Sequence, residues 1–90
     1  MCNEYSKSIE SRLARIEGQI KGIKQMASEG RECEDIIVQL SAVNSAITNV
    51  ARLILEHHIE HCVIDGIKNS DEAQTIENLK TAVTAFSKMK

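Results

Sequence analysis

The residues of this chain best suited to metal chemistry are Cys33, His58 and Cys62, because thiolate and imidazole groups are ligands for transition metals. Cys33 directly precedes a run, from about Glu34 to Val63, that contains His58 and Cys62 near its end. This run has no proline or glycine and carries apolar residues at helical spacing. On an α-helix, His58 and Cys62 lie at rotations of roughly −20° and +20° from Cys33. The three side chains are therefore predicted to share one face of one helix.

The length of that helix keeps the ligands apart within one chain. At the rise of an α-helix, Cys33 lies about 37 Å from His58 and about 43 Å from Cys62. A second copy of the chain running antiparallel would bring Cys33 of one copy beside His58 and Cys62 of the other. The spacing therefore predicts two equivalent sites in a dimer, each with two sulfurs and one imidazole.

The donor set narrows the choice of metal. Two thiolates and one imidazole suit Cu(I), which accepts few ligands, whereas Zn(II) usually takes a fourth ligand. That fourth ligand could come from Cys2, His57, Glu60 or His61. His57 and His61 are also an i, i+4 pair on a neighbouring stripe, and this pair could bind Ni(II), Co(II) or Zn(II). The alternatives without a metal are a small buried thiol at Cys33 and a solvated histidine face.

Three helices are predicted to position these groups. The first runs from about Ser8 to Ser28 and is followed by Gly30, a residue that favours the left-handed turn at the end of a helix. The second is the long helix with the candidate ligands, and Asn69 and Ser70 are N-cap candidates for a shorter third helix. No strand pattern appears. The 90 residues therefore predict one all-α domain with two long helices and one short helix.

The apolar residues predict self-association. Those of the first helix repeat at alternating spacings of four and three, as in a helix–helix seam: Ile9, Leu13, Ile16, Ile20, Ile23 and Ala27. The second helix has two apolar stripes and small residues near its centre, so it is expected to pack on its own chain and, antiparallel, on a copy. Gly18 and Gly22, one turn apart, predict the close approach of another backbone.

Charge is unevenly distributed along the chain. Residues 1–31 carry a balance of +2 and residues 32–67 a balance of −5, within a total of −2. On the first helix, Arg12, Arg15 and Gln19 follow each other at helical spacing. They are either a solvated face or contacts to phosphates and bases. An anion-binding surface is therefore expected on the first third of the chain, although no helix-turn-helix signature is present.

Other features indicate where the chain acts. The N-terminus lacks the apolar region of a signal peptide, and no uninterrupted apolar run of membrane-spanning length is present. Three cysteines are an odd number, which argues against a disulfide framework. We therefore expect a cytoplasmic protein with reduced thiols and no membrane partner. No acid–base pair or activated nucleophile is apparent, so an enzyme is not expected.

Three stretches resemble the copper-sensitive operon repressor (CsoR) family, which includes RcnR-type nickel/cobalt and FrmR-type formaldehyde sensors. Residues 12–19, Arg-Leu-Ala-Arg-Ile-Glu-Gly-Gln, resemble its R-x-x-R-I-x-G-Q opening. The segment around Cys33 and the segment Leu55–Val63, with His58 and Cys62, resemble the family's second helix. The resemblance extends over nearly the whole chain.

The resemblance implies a repressor built from three-helix protomers, which form dimers that pair into tetramers. By position, Cys33, His58 and Cys62 match the ligands of the Cu(I) sensors, in which the site bridges two chains. The metal-free protein is then expected to bind operator DNA and to be released by Cu(I). Two alternatives within the family stay open. One is a persulfide or thiol sensor that uses Cys33 and Cys62 without a metal, and the other is a Ni(II), Co(II) or Zn(II) sensor.

The resemblance also suggests supporting residues. Glu32 stands where many copper sensors have a tyrosine, and Glu77 is close to the place of a glutamate on their third helix. Both are candidates for the outer shell of the metal site. The DNA-binding surface is assigned to five residues of the first helix: Arg12, Arg15, Gln19, Lys21 and Lys24.

Overall fold

A computed structural model of the protein describes residues 7–64, 68 and 71–89, and for residues 62 and 63 it describes the backbone alone. It contains three α-helices, α1 (Lys7–Ser28), α2 (Cys33–His57) and α3 (Glu72–Ser87). A π-helical segment, His58–Val63, directly continues α2. No strand occurs in the described part of the chain, so the prediction of an all-α, three-helix fold is confirmed.

The turn between α1 and α2 contains the predicted glycine. Gly30 has a φ of 71°, the left-handed conformation that glycine adopts without steric cost. The N–H of Arg31 then donates to the carbonyl of Met26 at 3.0 Å, which satisfies one of the last carbonyls of α1. The carbonyl of Glu32 accepts from the N–H of Ile36 at 3.2 Å and opens α2.

The described chain divides into two compact units, residues 7–50 and residues 51–89, and the boundary falls inside α2. The core of the first unit consists of isoleucines and valines at intervals of seven: Ile9, Ile16, Ile23, Val43 and Val50. Ile9, Ile16 and Ile23 are three of the six residues of the predicted seam on α1. Leu13 and Ile20, which belong to the other half on α1, are each 49% exposed.

In the second unit, α3 contacts the π-helical segment. The N-cap of α3 is Asp71, whose carbonyl accepts both the N–H of Thr75, at 3.0 Å, and its hydroxyl, at 2.6 Å. Thr75 is buried, and these two hydrogen bonds satisfy its N–H and hydroxyl donors. The sequence prediction of Asn69 or Ser70 as the cap was therefore wrong, because the helix begins after Asp71.

The end of the second helix departs from the prediction. α-Helical geometry stops at His57, and the next six residues are π-helical, with wider turns closed by i→i+5 hydrogen bonds. The rotation of 100° per residue does not hold in this segment. The rotation predicted from Cys33 to Cys62 assumed an α-helix throughout. It therefore does not hold for Cys62, which lies in the π-helical segment. The predicted end at Gly66 lies outside the described residues.

The two glycines of α1 are not approached by other described parts of the chain. A Cβ built on Gly18 or Gly22 would have nothing within 4 Å. The predicted close approach of another backbone is therefore not made within the described protomer. Each glycine costs α1 about 1 kcal/mol relative to alanine.

Both long helices expose large apolar side chains. Among them are Leu13, Ile20, Ile37, Val38, Leu40 and Ile47. By length and composition alone, Cys33–His61 could cross a membrane, and only 11% of its most apolar stretch is buried. The core helix of a protein built from several helices has the same length and composition, so these two properties do not identify a membrane span. Whether α2 packs against protein or crosses a membrane therefore depends on what covers these side chains.

Candidate metal centre and nucleic-acid interface

Cys33 and His58 lie at opposite ends of one helical run. Cys33 is the exposed first residue of α2, and His58 is the first residue of the π-helical segment that follows it. The 25 residues of α2 between these positions rise about 37 Å. Cys33 and His58 of one protomer therefore cannot bind the same ion. Cys62 belongs to the same π-helical segment as His58.

His58 lies on the wall of an apolar cavity of about 330 Å³ between the second half of α2 and α3. The other lining residues are Ala51, Ile54, Leu55, Ala82, Ala85, Phe86 and Met89. The Nε2 atom of His58 is buried and has no hydrogen-bond partner among the described atoms. A buried polar group in this state costs about 1–3 kcal/mol. The unsatisfied imidazole fits a residue whose function is to bind a ligand.

The predicted outer shell is not assembled within the described protomer. Glu32 is exposed at the start of α2, beside Cys33. Glu77 is exposed as well, and it lines a separate groove on α3 with Lys80 and Lys88. Neither glutamate is among the residues that line the His58 cavity.

Of the possible extra ligands, His57 and His61 are brought together. Their ring centroids lie 4.6 Å apart, with planes inclined at 43°. Cys2 lies outside the described residues. Within residues 7–64, 68 and 71–89, side chains of 62 and 63 excepted, no group of three or more His, Cys, Asp or Glu residues could hold a metal ion. One protomer, as far as it is described, therefore does not build a complete metal centre.

The predicted DNA-binding residues are brought together only in part. Arg12, Arg15 and Gln19 of α1 line a cavity of about 210 Å³ with residues of α2. No carboxylate is among its lining residues, so the two guanidinium groups make it attractive to anions. Lys21 and Lys24 are exposed, and helical geometry places them roughly 140–200° around α1 from Gln19. They do not line this cavity.

Sequence reasoning missed Asn49, which lines the same cavity from α2. A signal for it was available. The turn near residues 30 and 31 makes an antiparallel hairpin of α1 and the first half of α2, and such a hairpin pairs Arg12 with about residue 49. The Oε1 atom of Gln19 is also buried at this cavity without a hydrogen-bond partner among the described atoms. The cavity therefore presents an unused acceptor beside two arginines.

Comparison with known proteins gives consistent matches. Residues 5–85 match the family model described as "Metal-sensitive transcriptional repressor". The copper-sensing transcriptional repressor CsoR of Bacillus subtilis (strain 168) is 49% identical over 80 residues, which cover 89% of this chain and 79% of the relative.

Two solved structures share the fold. The copper-sensing repressor CsoR with Cu(I) from Geobacillus thermodenitrificans NG80-2 matches with a TM-score of 0.85 and 37% identity, covering 90% of this chain and 84% of that one. The nickel-responsive transcriptional regulator InrS matches with a TM-score of 0.77 and 37% identity, covering 92% and 93%.

The buried acceptor of Gln19 predicts a stability effect. We expect Gln19→Met to keep the free energy of unfolding unchanged or to raise it by up to about 1 kcal/mol, because it removes an unsatisfied buried oxygen at similar volume. Urea denaturation followed by circular dichroism measures the change. A loss of more than about 1 kcal/mol would mean that Gln19 makes a stabilising hydrogen bond in the folded protein.

Proposed function

Because the chain belongs to the family of metal-sensitive transcriptional repressors, we propose that it is a Cu(I)-responsive repressor of the cytoplasm. Without metal it binds operator DNA as a homotetramer, and Cu(I) releases it. Cys33 of one copy and His58 with Cys62 of another provide the ligands. The family is one of regulators, which agrees with the expectation that the chain is not an enzyme.

The observation that carries the copper proposal is the placement of the donors at the two ends of one helical run. Cys33 is exposed at the start of α2, and His58 presents an unsatisfied ring nitrogen just beyond its end. With Cys62, a site shared between copies would contain two thiolates and one imidazole. Thiolates select soft Cu(I), and both CsoR relatives are copper sensors.

A nickel sensor is the second candidate, because InrS has the same fold and is nickel-responsive. The ligand chemistry favours copper over nickel. Ni(II) has a greater preference for nitrogen and oxygen donors than Cu(I), and the Cys33, His58 and Cys62 set offers only one nitrogen. His57 and His61 would have to join that set for a divalent ion to be preferred.

The exposed apolar faces are proposed to pack against other copies of the chain. In residues 7–50, alternate positions of the α1 seam are buried, while Leu13 and Ile20 of that seam and Leu40 of α2 remain 46–49% exposed. Burying the exposed part of one such side chain contributes about 1 kcal/mol. Several of them along each helix provide the stability that an assembly of copies needs, and the same assembly would bring Cys33 to its distant partners.

The alternative cover, a lipid bilayer, fits α2 poorly. Arg52 and Glu56 form an ion pair on this helix at i, i+4, and both side chains are about half exposed. An ion pair on a membrane-spanning helix is costly to bury in hydrocarbon. Polar Asn44, Thr48 and Asn49 also interrupt the run. The exposed faces therefore suit protein copies with water at their edges.

The DNA surface is proposed to be the cavity lined by Arg12, Arg15, Gln19 and Asn49. Its arginines suit phosphates, and its amides suit phosphate or base edges. Because α2 lines this cavity and also leads to His58, a metal that fixes the ends of α2 between copies can change how these cavities match a duplex. Thermodynamic reciprocity then requires DNA to weaken copper binding by the same factor.

The assembly can be tested by analytical ultracentrifugation. At micromolar concentration we expect no folded species at the 10.0 kDa mass of one chain. Ile20→Asp should dissociate the assembly, because a carboxylate would be buried in the seam between copies. Ser11→Asp, at an exposed position of α1 away from the seam, is the matched control and should assemble normally. A folded wild-type monomer would contradict the proposal.

For the DNA surface, we expect Arg12→Ala and Arg15→Ala each to weaken binding and to flatten its salt dependence, by a slope of about 0.9 for each lost phosphate contact. The probe is a duplex selected from a random-sequence pool, and the measurement is fluorescence anisotropy at several salt concentrations. Arg31→Ala, in the turn outside the cavity, is the matched control. Unchanged slopes in both α1 variants would show that these arginines are only solvated.

Copper sensing is tested by anaerobic addition of Cu(I) to the protein–DNA complex. Wild-type protein should release DNA, and Cys33→Ser should lose both tight copper binding and release. His58→Ala should still hold Cu(I) on two thiolates but lose part of the coupling, which is typically about 1–3 kcal/mol in allosteric proteins. If a polysulfide donor releases DNA and Cu(I) does not, the thiol-sensing alternative replaces the copper proposal.

A further inference from the structure

The C-terminal end of α2 and the π-helical segment after it contain a second group of metal-binding side chains, which the proposed copper site does not use. Residues 57–61 read His-His-Ile-Glu-His, so His57 and His61 lie at i, i+4 with Glu60 before the second histidine. Histidines at this spacing on one helical face, in H-E-x-x-H and H-x-x-E-H segments, are a recurrent way to bind a divalent metal. Spacing alone is weak, because solvated histidine pairs are common.

The structure adds a measured contact to this spacing. The ring centroids of His57 and His61 lie 4.6 Å apart, and the rings are tilted by 43°. An ion bound at about 2.0–2.1 Å from each nitrogen requires two donors about 3–4 Å apart. Rings at this separation can meet that requirement with small side-chain rotations. His61 is exposed, and its Nε2 lies 3.9 Å from a carboxylate oxygen of Glu60.

This pair differs from His58 in its surroundings. His58 faces the apolar cavity against α3, where its Nε2 is buried. The side chains of His61 and Glu60 are 59% and 70% exposed. Neither His57 nor His61 lines the His58 cavity. At the C-terminal end of α2, the imidazole of His58 therefore faces an apolar cavity, whereas the pair of His57 and His61 is open to solvent at His61.

We propose that His57 and His61 form a second metal site, which binds a divalent ion of borderline softness such as Zn(II), Ni(II) or Co(II). Imidazole nitrogen suits such ions, whereas Cu(I) prefers the sulfurs elsewhere. The described residues contain no three-donor group, so the pair is a two-ligand site with water at its other positions. The balance of −5 over residues 32–67 favours a cation here.

The ion reaches the pair from the exposed side of His61, since the Nε2 atom of His57 is shielded from solvent. His57 is the last residue of α2 and His61 belongs to the π-helical segment. A bound ion therefore links the two sides of this helical junction. The site does not depend on copper sensing, and its test is separate from that of the proposed function.

The experiment titrates Co(II) and Zn(II) into full-length protein carrying Cys33→Ser and Cys62→Ser, which removes the sulfurs of the copper site. Binding is followed by calorimetry and by the absorption spectrum of Co(II), and circular dichroism confirms that the helices are retained. We expect one divalent ion per chain, without thiolate-to-cobalt charge transfer. Adding His57→Gln or His61→Gln should weaken binding by at least about tenfold, since even outer-shell changes cost 10–100-fold.

His58→Gln on the same background is the matched comparison, because it removes an adjacent imidazole outside the pair. It should change the divalent affinity by less than about threefold, since it removes no ligand and no outer-shell partner of the pair. The proposal is overturned if neither His57→Gln nor His61→Gln weakens binding, or if His58→Gln weakens it as much as they do. The two serine substitutions could themselves disturb the site. The Zn(II) titration is therefore repeated with protein that keeps both cysteines and carries His57→Gln or His61→Gln. Loss of the Zn(II) ion assigned to the pair is expected there, and an unchanged zinc stoichiometry contradicts the site.

Discussion

The rise of an α-helix keeps the donor residues of this chain apart. α2 runs for 25 residues without a break, so whatever lies at its start cannot reach whatever lies beyond its end. Cys33 and His58 are placed at those two ends, and a helix cannot fold back to join them. A metal that needs both must bind between copies of the chain, which makes assembly a condition of the site rather than an addition to it.

The same helix lines both the cavity of Arg12 and Arg15 and the cavity of His58. Its first half supplies Asn49 to the cavity that contains Arg12 and Arg15, and its continuation places His58 against α3. The apolar side chains between these places are only partly covered, which is unfavourable for an isolated chain and suits a bundle of copies. In the proposed repressor, a soft metal bound at the ends of α2 can change the affinity for DNA, because the same helix lines the cavity of Arg12 and Arg15.

Local sequence signals predicted much of the fold. Gly30 marked the end of α1 because a left-handed turn favours glycine, and the apolar spacing identified both long helices. The π-helical turn after His57 was not predictable, since apolar spacing does not distinguish a π-turn from an α-turn over six residues. Asn49 and the buried oxygen of Gln19 depend on how two helices pair, which no single-helix pattern contains. Lys21 and Lys24 were grouped with the arginines by charge, yet helical rotation separates them.

Mixing two defective chains shows whether each copper site is shared between copies. A chain with Cys33→Ser and a chain with Cys62→Ser are purified together through different tags, and Cu(I) binding is measured anaerobically against a competing chelator. Each variant alone has no complete site. If sites bridge antiparallel copies, a mixed dimer regains one complete site out of two, because one Cys33 again faces one Cys62. A mixed dimer without tight copper binding would show that the sites are not shared between antiparallel copies.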